Sequence, residues 1–274
     1  MFDLEQSIGS PHKYAPQLML TSTAVAAYID ELLDTVGTPD YPNALNGLQL
    51  ENRSPIRGIA AAVDFSTRAV QGTIESGANF LIVHHGMFWG GLTPLSGPPY
   101  RILRTVIEND IAVYSSHLPL DRHPMFGNNV LLAAELGLTP TGLFARFQDI
   151  FIGVRGETDV DTISLIASAQ NFAKSYGEIR TSAIPAGHRT KQWAICTGAG
   201  ASAETLSEAS GAGIDTLIVG EGPHWTAIHA EEHGLAIIYA GHYATETVGV
   251  RALAQHLAEK YKLPWSFVSA PTGL

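Results

Sequence analysis

A single cysteine, Cys196, stands in 274 residues. One thiol excludes an internal disulfide framework and fits a reducing compartment. No run of about 18 apolar residues occurs, so no membrane-spanning helix is expected. The first residues lack a basic stretch followed by an apolar run and a small-residue cleavage site, so no secretory leader is expected and the cytoplasm is the expected location. Positive charge is scarce, with 16 Lys plus Arg against 26 Asp plus Glu and a formal net charge of −10. Those cations are spread along the chain and form no basic patch, so nucleic acid is not an expected partner. What the chain does have is 45% hydrophobic residues, the composition of a folded globular protein with a sizeable core. Its excess of carboxylates is what oxygen-liganded metals need, although acidity is common in ordinary cytosolic enzymes too.

Short apolar runs alternate with helical patterns. Residues 1–20, with Pro11 and Pro16, read as an N-terminal extension. Thr21 or Thr23 can cap a helix running to Leu33, and residues 35–49 carry the Gly, Pro and Asn of a loop. Residues 58–63 and 80–83 read as buried strands, 111–115 as a third, and 67–76, 101–109 and 129–136 as helices. Farther on, 150–154 reads as a strand, 161–172 as a helix and 193–197 as a strand. The alternation specifies an α/β fold with layered sheets.

An internal repeat organises this pattern. Residues 77–89, GANFLIVHHGMFW, match residues 213–225, GIDTLIVGEGPHW. Gly77 pairs with Gly213, the Leu-Ile-Val at 81–83 with that at 217–219, Gly86 with Gly222, and Trp89 with Trp225. Downstream, Val113-Tyr114 matches Ile238-Tyr239, and His117-x-x-x-Asp121 matches His242-x-x-x-Glu246. Two α/β halves of similar topology are therefore expected, residues 21–140 and 141–274, facing each other across a pseudo-twofold axis. Polar groups at their strand ends would then meet in one cleft, where α/β folds bind ligands.

The residues placed in that cleft are metal ligands by type. Alone, His84-His85-Gly86 reads as a polar loop and His242-x-x-x-Glu246 as a solvated helix start. Their placement after matching buried strands changes the reading. In extended backbone His84 and His85 point opposite ways, which suits two neighbouring cations better than one. Asp121 and Glu246 are the carboxylates available to bridge such ions and offset their charge. Imidazole and carboxylate without thiolate suit Zn, Fe, Mn, Ni or Mg.

With these residues in view, the chain resembles the type 2 GTP cyclohydrolase I homologues, also known as NGG-interacting-factor-like dinuclear metal proteins. The motifs that carry the resemblance are Asn46-Gly47-Leu48-Gln49, LIVHHGMFWGG at 81–91, SHLPLDRHPMFGNN at 116–129 and GHYATE at 241–246. They span roughly residues 20–268; the first 20 residues and 139–192 match least. The resemblance implies two interlinked α/β domains of similar topology with two divalent ions between them. It implies one ion held by His84, Asp121 and Glu246, the other by His85 and His242, with Glu246 bridging. It also implies a homo-oligomer, a toroidal hexamer whose sites face the ring cavity.

Function follows as an expectation: a metal-dependent hydrolase acting on a small, nucleotide-like molecule through activated water, with ring opening of a purine at C8 as the reaction the family name implies. Phosphoester hydrolysis fits the ligands equally well. No phosphate-cradling glycine loop or Arg cluster accompanies the motifs; Arg101, Arg104 and Arg122 are the nearby cations. The rival class is a non-catalytic metal-binding scaffold or regulatory protein, and a third is metal storage or delivery. His117 is read as a catalytic group, an outer ligand or a donor orienting Asp121, and His123 as a general acid or base. Trp89 and Phe88 can stack a planar ring or belong to the core, and His224 can touch substrate. Asn46 and Gln49 can line the mouth of the site. Gly127-Asn128-Asn129 reads as a helix start, Cys196 as a buried hydrophobe, and His12, His188, His229, His233 and His256 as surface residues.

Overall fold

In the computed structural model, residues 19–273 are described, so residues 1–18 of the expected N-terminal extension, His12 among them, lie outside the described residues. The first part of the chain forms α1 (Ser22–Leu32), β1 (Gly47–Leu50), β2 (Ile59–Asp64), α2 (Thr67–Glu75), β3 (Phe80–His85), α3 (Pro98–Glu108), β4 (Ala112–Ser115), the single-turn α4 (Leu118–Asp121) and α5 (Asn128–Glu135). The second forms β5 (Gly142–Phe147), β6 (Ile150–Asp161), α6 (Thr162–Ala173), β7 (Arg180–Thr181), β8 (Arg189–Cys196), α7 (Ala203–Gly211), β9 (Thr216–Val219), α8 (Trp225–His233), β10 (Ala236–Tyr239), the single-turn α9 (His242–Thr245), α10 (Thr247–Tyr261) and β11 (Trp265–Phe267). Two mixed sheets result, ordered β1-β4-β3-β2-β11 and β5-β6-β8-β9-β10-β7. This is the expected α/β fold with two parts of similar topology.

Each sheet is built on a parallel trio, β2-β3-β4 in one and β8-β9-β10 in the other. Register aligns the carboxyl ends of these strands. Asp64 pairs with His85 and Val83 with Ser115, while Cys196, Val219 and Tyr239 line up across the second trio. Strands covered on both faces must be apolar on both faces, and that is why the runs at 59–63, 80–83 and 217–219 are uninterrupted. On β3, Phe80 and Ile82 face a core shared with α1 and α10, and Leu81 and Val83 face a second core. The period of two carries on to the strand end, so His84 follows the first face and His85 the second.

Helix boundaries obey local chemistry. The Thr21 hydroxyl accepts from the Ala24 amide to cap α1, and Asp161 does the same for Ile163 at α6. Pro98 and Pro99 open α3, where their missing amides cost nothing. Three stretches depart from the expected pattern. Residues 47–50, read as loop, pair antiparallel with β4. Residues 142–147 add an unforeseen edge strand, β5. β6 and β8 run well beyond their apolar parts, because the polar ladder of residues 157–161 and 189–192 is held by backbone pairing and an Arg189–Asp159 ion pair.

The two sheets are interlinked rather than consecutive. α5 follows the first sheet but buries Leu132 and Ala133 in a core of the second sheet, with Ile195 and Ile218. α10 follows the second sheet but buries Val250, Leu253, Ala254 and Leu257 against the first, and β11 then pairs parallel with β2. Sheet membership thus departs from the expected division at residue 140 over α10 and β11. The two crossing helices meet at Gly249, whose amide donates to the Asn128 side chain at 2.8 Å. A Cβ at residue 249 would lie 2.7 Å from that amide oxygen, so glycine makes the approach possible. Because Leu253 is fully buried in the shared core, Leu253→Ala is expected to destabilise the metal-free protein by about 2–5 kcal/mol in urea unfolding.

Candidate metal centre

The carboxyl ends of the two parallel trios converge, and the polar residues carried there meet. His84 and His85 end β3, Asp121 ends α4, and His242 and Glu246 flank α9. Glu246 lies at the middle, 3% exposed. Its Oε1 is 3.5 Å from His84 Nε2, and its Oε2 is 3.6 Å from His85 Nε2 and 3.2 Å from His242 Nε2. Asp121 Oδ2 approaches His84 Nε2 at 3.5 Å from the other side. Each oxygen of Glu246 therefore faces a different group of partners, His84 and Asp121 on one side, His85 and His242 on the other.

Most of these spacings exceed a hydrogen bond. They match donor atoms around a shared cation, since ligands about 2.0–2.1 Å from a tetrahedral ion stand about 3.3 Å apart. His84 Nε2 and Glu246 Oε2 are buried without a hydrogen-bond partner, an arrangement that costs free energy unless a cation or proton fills it. Among the described residues, two overlapping groups of donor atoms lie within 4.8 Å of one another: His84, His85 and His117, and His85, His242 and Glu246. The residues present thus fit a bound metal.

The far side of every imidazole is fixed by an acceptor. Nδ1 of His84 lies 2.9 Å from the Ser116 carbonyl, that of His85 2.9 Å from Asp64, that of His117 2.8 Å from Asp40 and that of His242 2.9 Å from Glu221. Those oxygens can only accept, so Nδ1 carries the hydrogen and Nε2 is the atom aimed at the centre. Outer carboxylates and carbonyls hold metal-binding imidazoles in this way and make them better ligands. Asp121 is held in turn by the Asn128 side-chain amide at 2.7 Å. Asn129 links the end of α4 to the second sheet, bonding the Asp121 carbonyl, the Ile152 carbonyl and the Thr197 amide.

Charge follows from this geometry. Burial alone would lower the His84 pKa, but Asp121 and Glu246 beside it raise it well above the usual value. Burial also works against protonated His242, and Glu246 and Glu221 nevertheless push its pKa up to about 9. Burial would raise the Glu246 pKa, and the charges of His85 and His84, with His242 Nε2 3.2 Å away, hold it well below the carboxylate range. The buried carboxylates thus favour the protonated forms of His84 and His242.

A cavity of about 410 Å³ opens onto the cluster, walled by Tyr41, Trp89, His117, Ile152, Thr197 and Gly200 among others, with no Lys or Arg in its lining among the described residues. Trp89 stands at the rim, its ring 4.6 Å from those of both His85 and His117. Gly198 closes the floor. Its φ is +62°, and a Cβ there would collide with Glu246 Oε1 and come within 3.5 Å of His242 Nε2.

Of the residues singled out in the sequence, the structure brings together His84, His85, His117, Asp121, His242 and Glu246. It does not bring His123, whose Nδ1 accepts from the Met125 and Phe126 amides and whose ring stacks on Phe126. His123 shapes a turn and is absent from the cavity lining. Asn46 bonds Asp40 and the His117 amide, and Gln49 bonds the Met87 amide and packs on Gly86, so both brace the ligand loops. His224 lines a separate cavity of about 730 Å³ on the outer side of Glu221. His188 and His256, read as surface, are half-buried against Thr162 and Tyr28. Cys196 is buried among apolar neighbours beside the cavity, and burial pushes its thiol pKa up. Asp40, Asp64 and Glu221 went unrecognised in the sequence. Only Glu221 left a signal, since it occupies in the second repeat the position that His85 occupies in the first.

Two outcomes follow. A bound cation needs neutral imidazoles, whereas the neighbouring carboxylates favour protonated His84 and His242. Metal uptake at pH 7 should therefore release protons, and affinity should climb as pH rises towards about 9, as titration calorimetry in buffers of different ionisation enthalpy would reveal. Gly198→Ala should leave the circular dichroism spectrum unchanged but weaken metal binding by at least about tenfold, by displacing Glu246.

Comparison with known proteins agrees with the geometry. A family model described as Duf34/NIF3 (NGG1p interacting factor 3) matches residues 20–272. A Deinococcus radiodurans protein named GTP cyclohydrolase 1 type 2 homolog is 42% identical over 238 residues, covering 85% of this chain and 88% of that protein. A Halobacterium salinarum protein of the same name is 37% identical over 270 residues, covering 93% of this chain and all of the relative. Among solved structures, protein ybgI, whose function is described as unknown, superposes with a TM-score of 0.84 at 32% identity, covering 93% of this chain and 100% of its own. With the motifs, the two-sheet architecture and these relatives in accord, the chain belongs to the Duf34/NIF3 (NGG1p interacting factor 3) family.

Proposed function

We propose that the protein is a dinuclear metal-dependent hydrolase acting on a small, nucleotide-like molecule. The observation that carries this reading is the position of Glu246, a buried carboxylate with one oxygen turned to His84 and Asp121 and the other to His85 and His242, beside an open cavity. On this reading His84, Asp121 and Glu246 hold one divalent ion, and His85, His242 and Glu246 the other. Zn, Fe, Mn, Ni and Mg all suit such donors.

Bound divalent ions would supply an acidified water and polarise the bond to be cut. The chain's own residues do the rest. Asp64, Glu221 and the Ser116 carbonyl keep three imidazoles turned inward, so the donors need not reorganise when charge develops. Asn128 orients Asp121. Trp89 covers one side of the entrance and offers a face on which a planar ring can stack. Among the described residues the lining holds no Lys or Arg. The name borne by the curated relatives, GTP cyclohydrolase 1 type 2 homolog, supports the nucleotide-like substrate class. We take the active form to be a cytoplasmic homohexameric ring, which light scattering would report as about six times the 29.3 kDa chain.

Metal content per chain, measured by mass spectrometry on protein purified without chelators, is the direct test. Two ions in the wild type and fewer than one in Glu246→Ala are expected, with hydrolysis of at least one nucleotide lost in that variant. Two tightly held ions without turnover on any nucleotide would replace this reading with that of a metal-binding scaffold or regulatory protein. Ions that exchange freely with chelators would point to metal storage or delivery.

A further inference from the structure

We infer that Tyr41 and Trp89 form an aromatic clamp at the cavity, which selects a planar nitrogen heterocycle as the part of the substrate held there. That this ring belongs to a substrate rests on the hydrolase reading above. Tyr41 belongs to none of the motifs found in the sequence, yet it lines the cavity together with Trp89 and Asn43. The two aromatic residues come from different loops, Tyr41 from the connection between α1 and β1 and Trp89 from that between β3 and α3.

The first support is the placement of the rings. The Trp89 ring lies 4.6 Å from that of His117 at an angle of 63°, and the Tyr41 ring 6.0 Å from it at an angle of 46°. Both thus flank one imidazole, and neither lies flat on it. Among the described residues no ring contact joins Tyr41 to Trp89, so a guest can enter between them over His117. Tyr41 is 51% exposed and Trp89 36%, a large aromatic surface that a planar guest would cover.

The second support is that Tyr41 is fixed without being buried. Its amide donates at 2.7 Å to Asp40 Oδ1, the same oxygen that takes up Nδ1 of His117. Its carbonyl accepts from the Ala44 amide at 2.9 Å. Its ring rests 4.9 Å from that of Phe147 on β5, so a loop leading into the first sheet reaches across to the second. An exposed ring held in this way is preorganised for a guest, which reduces the ordering cost of binding.

The third support concerns the edge of the guest. Asn43 lies between the two loops, its amide nitrogen 3.7 Å from the point that a Cβ on Gly91 would take. Among the described residues neither the Asn43 side chain nor the Tyr41 hydroxyl has a hydrogen-bond partner. The amide offers both donors and an acceptor, and the phenol can act as either. Such groups suit a ring with nitrogens and exocyclic oxygens or amines better than a hydrocarbon ring. Phosphoester hydrolysis, which needs only the phosphorus centre at the ions, gives these three side chains no role.

Equilibrium dialysis on metal-loaded protein tests the clamp, with guanosine, adenosine and uridine as ring-bearing probes and ribose 5-phosphate as the ring-free one. At least one nucleoside should bind the wild type. Tyr41→Ala and Trp89→Ala should each weaken that binding by at least about fivefold, the loss expected when one stacking partner is removed. Tyr41→Phe keeps the ring and should stay within about threefold of the wild type. Ribose 5-phosphate should bind all four proteins alike, and their metal content should be the same. Should an alanine variant lose its metal, Tyr41→Leu and Trp89→Leu, which keep bulk without an aromatic face, take its place. No nucleoside binding to the wild type, or unchanged nucleoside affinity in both variants, overturns the clamp alone and leaves the hydrolase reading standing. A smaller assembly by light scattering in Tyr41→Ala, with nucleoside affinity unchanged, would make this face a contact between copies of the chain instead. Absence of any bound metal in the wild type overturns the hydrolase reading, and with it the substrate role of the clamp.

Discussion

A carboxylate removed from water must be met by positive charge, and the burial of Glu246 imposes that condition on the molecule. The side chain is placed where two sheets abut, and neither sheet alone supplies its partners. His84 and His85 come from the end of one parallel trio, His242 from the end of the other. The remaining features of the centre follow from meeting this demand. Imidazoles must point inward, so acceptors secure their outer nitrogens. Backbone must come close, so Gly198 floors the site in a left-handed conformation. Asp121 must remain fixed although buried, so Asn128 holds it.

The same demand explains why the two parts of the chain exchange helices. α5 and α10 each leave the sheet they follow and pack on the other, and they touch where Asn128 meets the Gly249 amide. Asn128 therefore serves both the crossing and the ligand Asp121. Asn129, its neighbour, serves the crossing from the other face through Thr197 and Ile152. A pair of adjacent asparagines that read simply as a helix start is in fact the joint between sheet geometry and ligand geometry.

Much of the fold was legible because it rests on local pattern. Apolar runs buried on both faces announced the central strands, and a capping threonine announced α1. The duplicated Leu-Ile-Val stretches announced the architecture, and the resemblance named the family that the comparisons show. Less of the centre could be read. Asp40 and Asp64 act through contacts to His117 and His85 that no spacing encodes, since loop and strand bring them together only in three dimensions. β1 was missed because four residues between Asn46 and Glu51 are too few to show a period of two against loop composition. His123 lay beside ligands in sequence, yet the turn after α4 directs its ring to Phe126.

The pairing of β11 with β2 has a consequence for how the molecule is made. The whole second sheet separates those strands in sequence, so the first sheet gains β11 only after β5 to β10 have been made. On the ribosome the opening α/β part emerges with one edge of β2 uncovered and the α10 side of its core without a partner. Contacts so distant in sequence slow folding and leave strand edges open to wrong partners in the interval. An ordering of synthesis is thus written into the topology: the second sheet can form while the first waits, and both close together at the end.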